Sequence, residues 1–217
     1  MQQLKTRWLQ IATHAGALTP LALLIWDYWQ DQLTANPIQN ITFRTGKAAL
    51  VLLVLCLSCT PIHALFRFGR VLALRKALGL YAFSYAGLHL LTFIGLDYGF
   101  DPGLLQEAIF KKRYALVGFA AFLTLLPLAI TSTRGWMKRL GKSWKRLHRL
   151  VYLAGLLAVV HFVWLVKSDI REPLAYGTVV VLLLVARLTK VRTVLSNLRG
   201  RLTPAYLEQN LGLSTRH

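Results

Sequence analysis

The sequence predicts an all-α membrane protein, a bundle of six transmembrane helices with both termini on the cytoplasmic side. Three observations carry this reading. Hydrophobic residues make up 55% of the 217-residue chain, and the mean hydropathy is +0.48. The apolar residues gather in blocks at 9–28, 48–66, 77–96, 114–131, 149–167 and 173–189, and a helix needs about 17–25 apolar residues to cross a bilayer. The charges segregate by the side on which each link emerges. With the N-terminus inside, 19 of the 26 lysines and arginines fall on inner segments, and seven of the eight acids fall on outer ones. That is the asymmetry of the positive-inside rule. The net charge of +18 is therefore a topology signal and an attraction to anionic lipid; no nucleic-acid partner is expected. The expected organisation is a cytoplasmic N-terminus (1–8), a membrane domain (9–189) and a basic cytoplasmic tail (190–217), with no room for a soluble catalytic domain.

The first block follows a basic start, as a signal peptide would, but His14 and Pro20 interrupt it and five more spans follow, so a retained helix is expected. Residues 29–47 form an outer loop. The second block holds Cys56 and Cys59 in "LCLSCTP". Without a βαβ context or further ligands, they suit helix packing better than redox or metal chemistry. Pro61 and Pro127 lie near the inner ends of the second and fourth blocks, where neighbours can re-satisfy a freed carbonyl. A second outer loop covers 97–113. Trp26, Tyr28, Trp29, Tyr98, Phe100 and Trp164 fall near the outer boundary, as an interfacial aromatic belt does. In the inner loop 132–147, Trp136, Leu140 and Trp144 recur every four residues with cations between them, which predicts a short amphipathic helix on the inner surface. It serves either as a lipid-docked linker or as a docking site for an anionic group. No repeat is visible in the chain.

Histidines are the candidate functional residues, because ionisable side chains are rare inside a bilayer. His14 and His63 read more readily as helix-to-helix hydrogen bonds than as ligands. His89 lies about 13 residues into the third span, roughly 19 Å along its axis, and His161 lies about as far into the fifth. Both spans run outward, so the two rings reach one depth from separate helices. A bis-histidine haem needs that arrangement, an imidazole on each face of one porphyrin. The small residues Ala86, Gly87, Ala154, Gly155 and Ala158 lie nearby and suit either a macrocycle or plain packing. His148 lies about 19.5 Å from His161 on an ideal helix, near the inner face. Thirteen steps of about 100° would aim the two rings to different sides, so either a bulge near Gly155 or two different faces is implied. The pattern leaves three readings open: haem, buried polar structure, and a proton or metal path.

The runs "RKALGLYAFSYAGLH" (75–89), "LAITSTRGWMKRLGKSWKRLHRLVYL" (128–153) and "VHFVWLVKSD" (160–169) resemble the ferric-reductase-like transmembrane domain. More closely they resemble the haem-binding membrane subunits of bacterial periplasmic methionine sulfoxide reductases. The likeness extends over about residues 8–192. The resemblance implies a b-type cytochrome in the bacterial inner membrane, carrying one or two haems b and FMN. It would take electrons from the quinone pool or from a cytosolic flavin reductase and pass them to a periplasmic molybdopterin catalytic subunit, where the sulfoxide chemistry resides. His89, His148 and His161 fall on the family's ligand positions. The wider superfamily often carries another histidine fourteen before His89; here that position is Arg75. His148 thus lacks a partner on the third span, and its site would hold a second haem with another ligand (His63 being the remote candidate), a flavin or a quinone. Arg75, Arg134, Lys138 and Arg139 are the candidate FMN phosphate contacts, from charge alone. Two rival functions remain: a histidine-lined proton or metal transporter, and a self-contained ferric or quinone reductase.

Overall fold

The computed structural model describes residues 2–166 and 169–187, with side chains from residue 7 onward. Every element among them is helical: α1 (Gln2–Trp29), α2 (Pro37–Phe66), α3 (Val71–Leu91), α4 (Pro102–Lys111), α5 (Arg113–Ile130), α6 (Arg134–Leu140), α7 (Lys142–Leu147), α8 (Leu150–Leu165) and α9 (Arg171–Val185). A π-helical turn, Thr92–Asp97, continues α3. The ranges Arg7–Trp29, Pro37–Phe66, Arg70–Asp97, Arg113–Ile130 and Lys142–Leu165 are long and apolar enough to cross a membrane. The predicted sixth span, 173–189, overlaps the shorter α9 and runs past the described residues, as does the predicted tail 190–217.

Two antiparallel hairpins organise the bundle. A four-residue link makes α3 double back along α2, and α8 doubles back along α5; α1 lies on α3 and α2, while α9 lies on α8 and α2. The core sits around α2, where Leu52, Leu53, Cys56, Leu57 and Cys59 pack with Leu78, Ala82 and Tyr85 of α3, Leu125 of α5 and Ala154 of α8. Apolar side chains also cover the outside: Leu123, Leu156 and Leu182 are 47%, 40% and 62% exposed. A water-soluble monomer rarely shows such a continuous apolar surface; a lipid-facing one does. One end of the bundle carries Asp31, Asp101, Glu107 and Asp169 in its links, and the other carries Arg67, Arg70 and the cations of α6 and α7. Trp26, Tyr28, Trp29, Phe100 and Trp164 are all exposed at the acidic end.

At two prolines, side chains from elsewhere in the fold reach the helix backbone. Pro61 has no N–H to offer the Leu57 carbonyl one turn earlier, and the Arg187 guanidinium donates to that carbonyl instead while lying over the Tyr152 ring. Near Pro20 of α1, the Tyr85 hydroxyl donates to the Ala17 carbonyl (2.8 Å) and accepts from the Leu21 N–H (3.0 Å). It stands between two groups that ordinarily bond each other in a helix.

Three sequence expectations need correction. The second helix starts at Pro37 rather than 48, capped by the Asn36 side chain accepting from the Gln39 N–H, with proline at the favoured first position. Arg44 and Lys47, assigned to a loop, are inside α2. Arg44 pairs with Asp27 of α1 at 2.6 Å and Lys47 with Glu172 of α9, so neighbouring helices neutralise charges that a hydropathy window rejects. The link 97–113 contains α4, capped by Asp101 accepting from the Gly103 and Leu104 N–H groups. The segment 132–147 forms two short helices, because Gly141 adopts φ +48° and ends α6.

Candidate functional site

His89 near the end of α3 and His161 near the end of α8 meet at the acidic end of the bundle, between the two hairpins. Their ring centroids are 5.9 Å apart, with planes at 80°. Each ring is anchored in the same way. His89 Nδ1 lies 2.8 Å from the Thr42 carbonyl of α2, and His161 Nδ1 lies 2.7 Å from the Tyr114 carbonyl of α5. A carbonyl only accepts, so both Nδ1 atoms carry the hydrogen and both Nε2 atoms keep a lone pair. The buried polar atoms left without partners among the described residues are Asn40 Oδ1, Thr60 Oγ1, His63 Nδ1 and Arg187 Nε. Neither ligand-candidate Nε2 is among them.

The geometry suits metal held by two imidazoles. Nitrogens about 2 Å from a shared ion place the ring centres roughly 6 Å apart, close to the spacing found. Donation from Nδ1 to a backbone carbonyl fixes tautomer and ring orientation, as is usual for metal-bound histidine. The described residues contain no group of three or more metal-ligating side chains, so a bare tetrahedral ion would lack protein ligands. Haem supplies four nitrogens of its own and needs only the axial two. Tyr114 packs near the His161 ring and Phe43 near Phe162, adding aromatic walls.

The basic end is built differently. His148 Nε2 lies 3.1 Å from Thr131 Oγ1, and that hydroxyl donates its single hydrogen to the Pro127 carbonyl at 2.6 Å. The imidazole must then be the donor, with its hydrogen on Nε2. The ring stacks on Trp144 at 4.0 Å and 29°, and Trp144 Nε1 donates to the Thr131 carbonyl at 2.9 Å. No hydrogen bond or ring contact joins His148 to His63 among the described residues. The implied bulge near Gly155 is not needed, because α8 begins at Leu150 and His148 sits in the turn after α7. The ideal-helix angle between His148 and His161 therefore does not apply.

The remaining candidates occupy ordinary structural positions. His14 Nδ1 and the Tyr81 hydroxyl are 2.9 Å apart, linking α1 to α3. The cysteines are free and buried, their thiols donating to the Arg75 and Leu55 carbonyls. Arg75 lies in the first turns of α3, while Arg134, Lys138 and Arg139 lie on α6, where Arg139 covers the Trp136 ring.

Sequence reasoning missed four residues of the paired site: Thr42, Tyr114, Gly46 and Gly118. A Cβ on Gly46 would fall 2.9 Å from His89 Nδ1, and one on Gly118 would fall 2.6 Å from His161 Nδ1. The small residues flagged from sequence do other work: Ala154 is fully buried in the core, and a Cβ on Gly155 would meet Leu57. The two hairpins also repeat one spacing that went unseen in the chain. In each, the carbonyl lies 47 residues before its histidine and is followed one turn later by the glycine.

Fold and site together define a helical membrane protein with a paired-imidazole site between two helical hairpins. Residues 45–159 match the family model described as "Ferric reductase like transmembrane component". The chain is 49% identical over 198 residues to the protein-methionine-sulfoxide reductase heme-binding subunit MsrQ of Xanthomonas axonopodis pv. citri, covering 88% of this chain and 90% of that protein. The MsrQ of Xanthomonas campestris pv. campestris is 50% identical over 186 residues (82% and 85%), and that of Caulobacter vibrioides is 42% identical over 178 residues (82% and 85%). No solved structure matches the chain significantly. The chain belongs to the MsrQ family, within the ferric-reductase-like transmembrane components.

Proposed function

We propose that this chain is the haem-binding membrane subunit of a methionine sulfoxide reductase system, with His89 and His161 as the axial ligands of one haem b. The observation that carries the reading is the ring separation of 5.9 Å with both Nδ1 atoms bound to carbonyls. The bound haem would supply a one-electron carrier. The protein's own contribution is to hold each Nε2 lone pair toward the metal, strengthen it by Nδ1–H donation, and surround the site with apolar helix surface. The sulfoxide chemistry would belong to the partner.

In the fuller reading, the acidic end faces the periplasm and the basic end the cytoplasm, with both termini inside, in a bacterial inner membrane. The charge asymmetry supports this orientation. Electrons enter at the basic end from the quinone pool or from reduced flavin. They leave at the acidic end to a periplasmic molybdopterin catalytic subunit, which performs the sulfoxide chemistry. His148 marks the entry region, which takes a second haem, FMN or a quinone. Arg75, Arg134, Lys138 and Arg139 are the proposed cations for a flavin phosphate.

The test is haem stoichiometry by pyridine haemochrome, with dithionite difference spectra, on the purified protein and its His89→Ala and His161→Ala variants. The wild type should carry stoichiometric low-spin haem, and each variant should lose it. A colourless wild type, or a variant with full low-spin haem, overturns the assignment. Methyl viologen-driven reduction of a sulfoxide substrate with the periplasmic subunit present and absent tests the partner.

A further inference from the structure

We infer that Gly46 and Gly118 are positioning residues, placed to uncover the backbone carbonyls that orient His89 and His161. The inference rests on the haem reading and adds residues to it. In an α-helix, Cα–Cβ bonds tilt toward the N-terminus, so a side chain covers the turn before its own Cα. The carbonyl of residue i, which already accepts from the N–H at i+4, is thus shielded by the i+4 side chain. A third-party donor approaches it most freely where that side chain is missing.

Both anchoring carbonyls meet that condition. Thr42 is followed four residues later by Gly46, and Tyr114 by Gly118. The three nearest atoms to an added Cβ at 46 all belong to the His89 ring, with Nδ1 at 2.9 Å and Cε1 at 3.1 Å. At 118 all three belong to His161, with Nδ1 at 2.6 Å and Cε1 at 2.8 Å. The atom struck first in each case is the atom that donates to the uncovered carbonyl. A methyl group at either position would push the ring off its acceptor. These glycines differ from Gly87, two residues before His89, where a Cβ would meet only Phe122 at 4.0 Å. They differ also from Gly16, which has nothing within 4 Å.

The experiment compares Gly46→Ala, Gly118→Ala and the control Gly87→Ala, alongside His89→Ala and His161→Ala, in the full chain purified from haem-replete cells. The histidine variants test the haem reading itself: if either keeps full low-spin haem, that reading fails, whatever the glycines do. With it standing, Gly46→Ala and Gly118→Ala should retain haem about tenfold less well, the usual cost of losing a ligand's outer hydrogen bond. Haem that remains should show a smaller low-spin fraction and a raised midpoint potential, because an imidazole that no longer donates from Nδ1 is a poorer donor to ferric iron. Gly87→Ala should match the wild type. Wild-type spectra and potentials in both glycine variants would overturn the inference, and so would an equal loss in Gly87→Ala. If a glycine variant fails to accumulate, Gly46→Ala is combined with His89→Ala, and Gly118→Ala with His161→Ala. Removing the ring removes the clash, so each double variant should accumulate and melt like its histidine single variant. A double variant that stays defective also overturns it.

Discussion

The two ends of the bundle each hold candidate histidines, and they anchor them in different ways. At the acidic end, two imidazoles from different hairpins spend Nδ1 on backbone carbonyls and leave Nε2 open. At the basic end, His148 stacks on Trp144 and donates its Nε2–H to Thr131, with no second histidine against it among the described residues. The paired rings are both tied through Nδ1 to main-chain carbonyls, whereas His148 is tied through Nε2 to a side chain and has no second imidazole beside it among the described residues. Position in the sequence makes the two ends look alike, and hydrogen bonding separates them.

The comparison breaks most directly through His148. His148→Ala is expected to leave the low-spin spectrum of the acidic-end haem intact, in contrast to the complete loss in His89→Ala and His161→Ala. A second haem signal that vanishes only in His148→Ala would show that the basic end rearranges to bind one. Next in size is Arg187→Leu, which strands the Leu57 carbonyl released by Pro61. An unsatisfied buried acceptor costs about 1–3 kcal/mol, and a lowered melting temperature with unchanged haem content is expected. Thr131→Val removes the hydroxyl that joins His148 to Pro127, and should destabilise by about 1 kcal/mol. It should also leave Nε2 of His148 free to ligate added imidazole-seeking probes such as ferric protoporphyrin, read as a second Soret component on titration.

The smallest effect is expected at Lys112, whose ammonium donates to the Tyr98 hydroxyl at 2.6 Å. That bond first, with nearby tyrosines, holds the lysine above its ordinary range despite some burial. A raised cation contributes fully below its unfolded value and loses the contribution only as pH climbs through the folded one. Tyr98→Phe should therefore cost below about 0.5 kcal/mol, evenly across neutral pH, with the difference closing only in strong alkali. Thermal melts of both proteins at neutral and alkaline pH check the sign.

How much was legible before the structure varies by kind of evidence. The apolar blocks located the helices because lipid imposes a composition that a window detects. The window failed at Arg44 and Lys47, since their pairing with Asp27 and Glu172 lies on other helices. The common depth of His89 and His161 followed from helical rise alone. The continuous helix assumed from His148 to His161 is interrupted by a turn at 148–149, where Trp144 and Thr131 contact the imidazole.

By itself, the sequence determined a helical membrane bundle, its charge asymmetry, and the pairing of two histidines at one level. Only the tertiary structure decided which nitrogen each ring offers, and that decision rests on Thr42, Gly46, Tyr114 and Gly118. The reason is physical. The anchoring groups are main-chain carbonyls, which every residue possesses, so no side-chain identity announces them. What exposes them is the absence of a side chain one turn later, and an absent side chain acquires meaning only when another helix is brought against it.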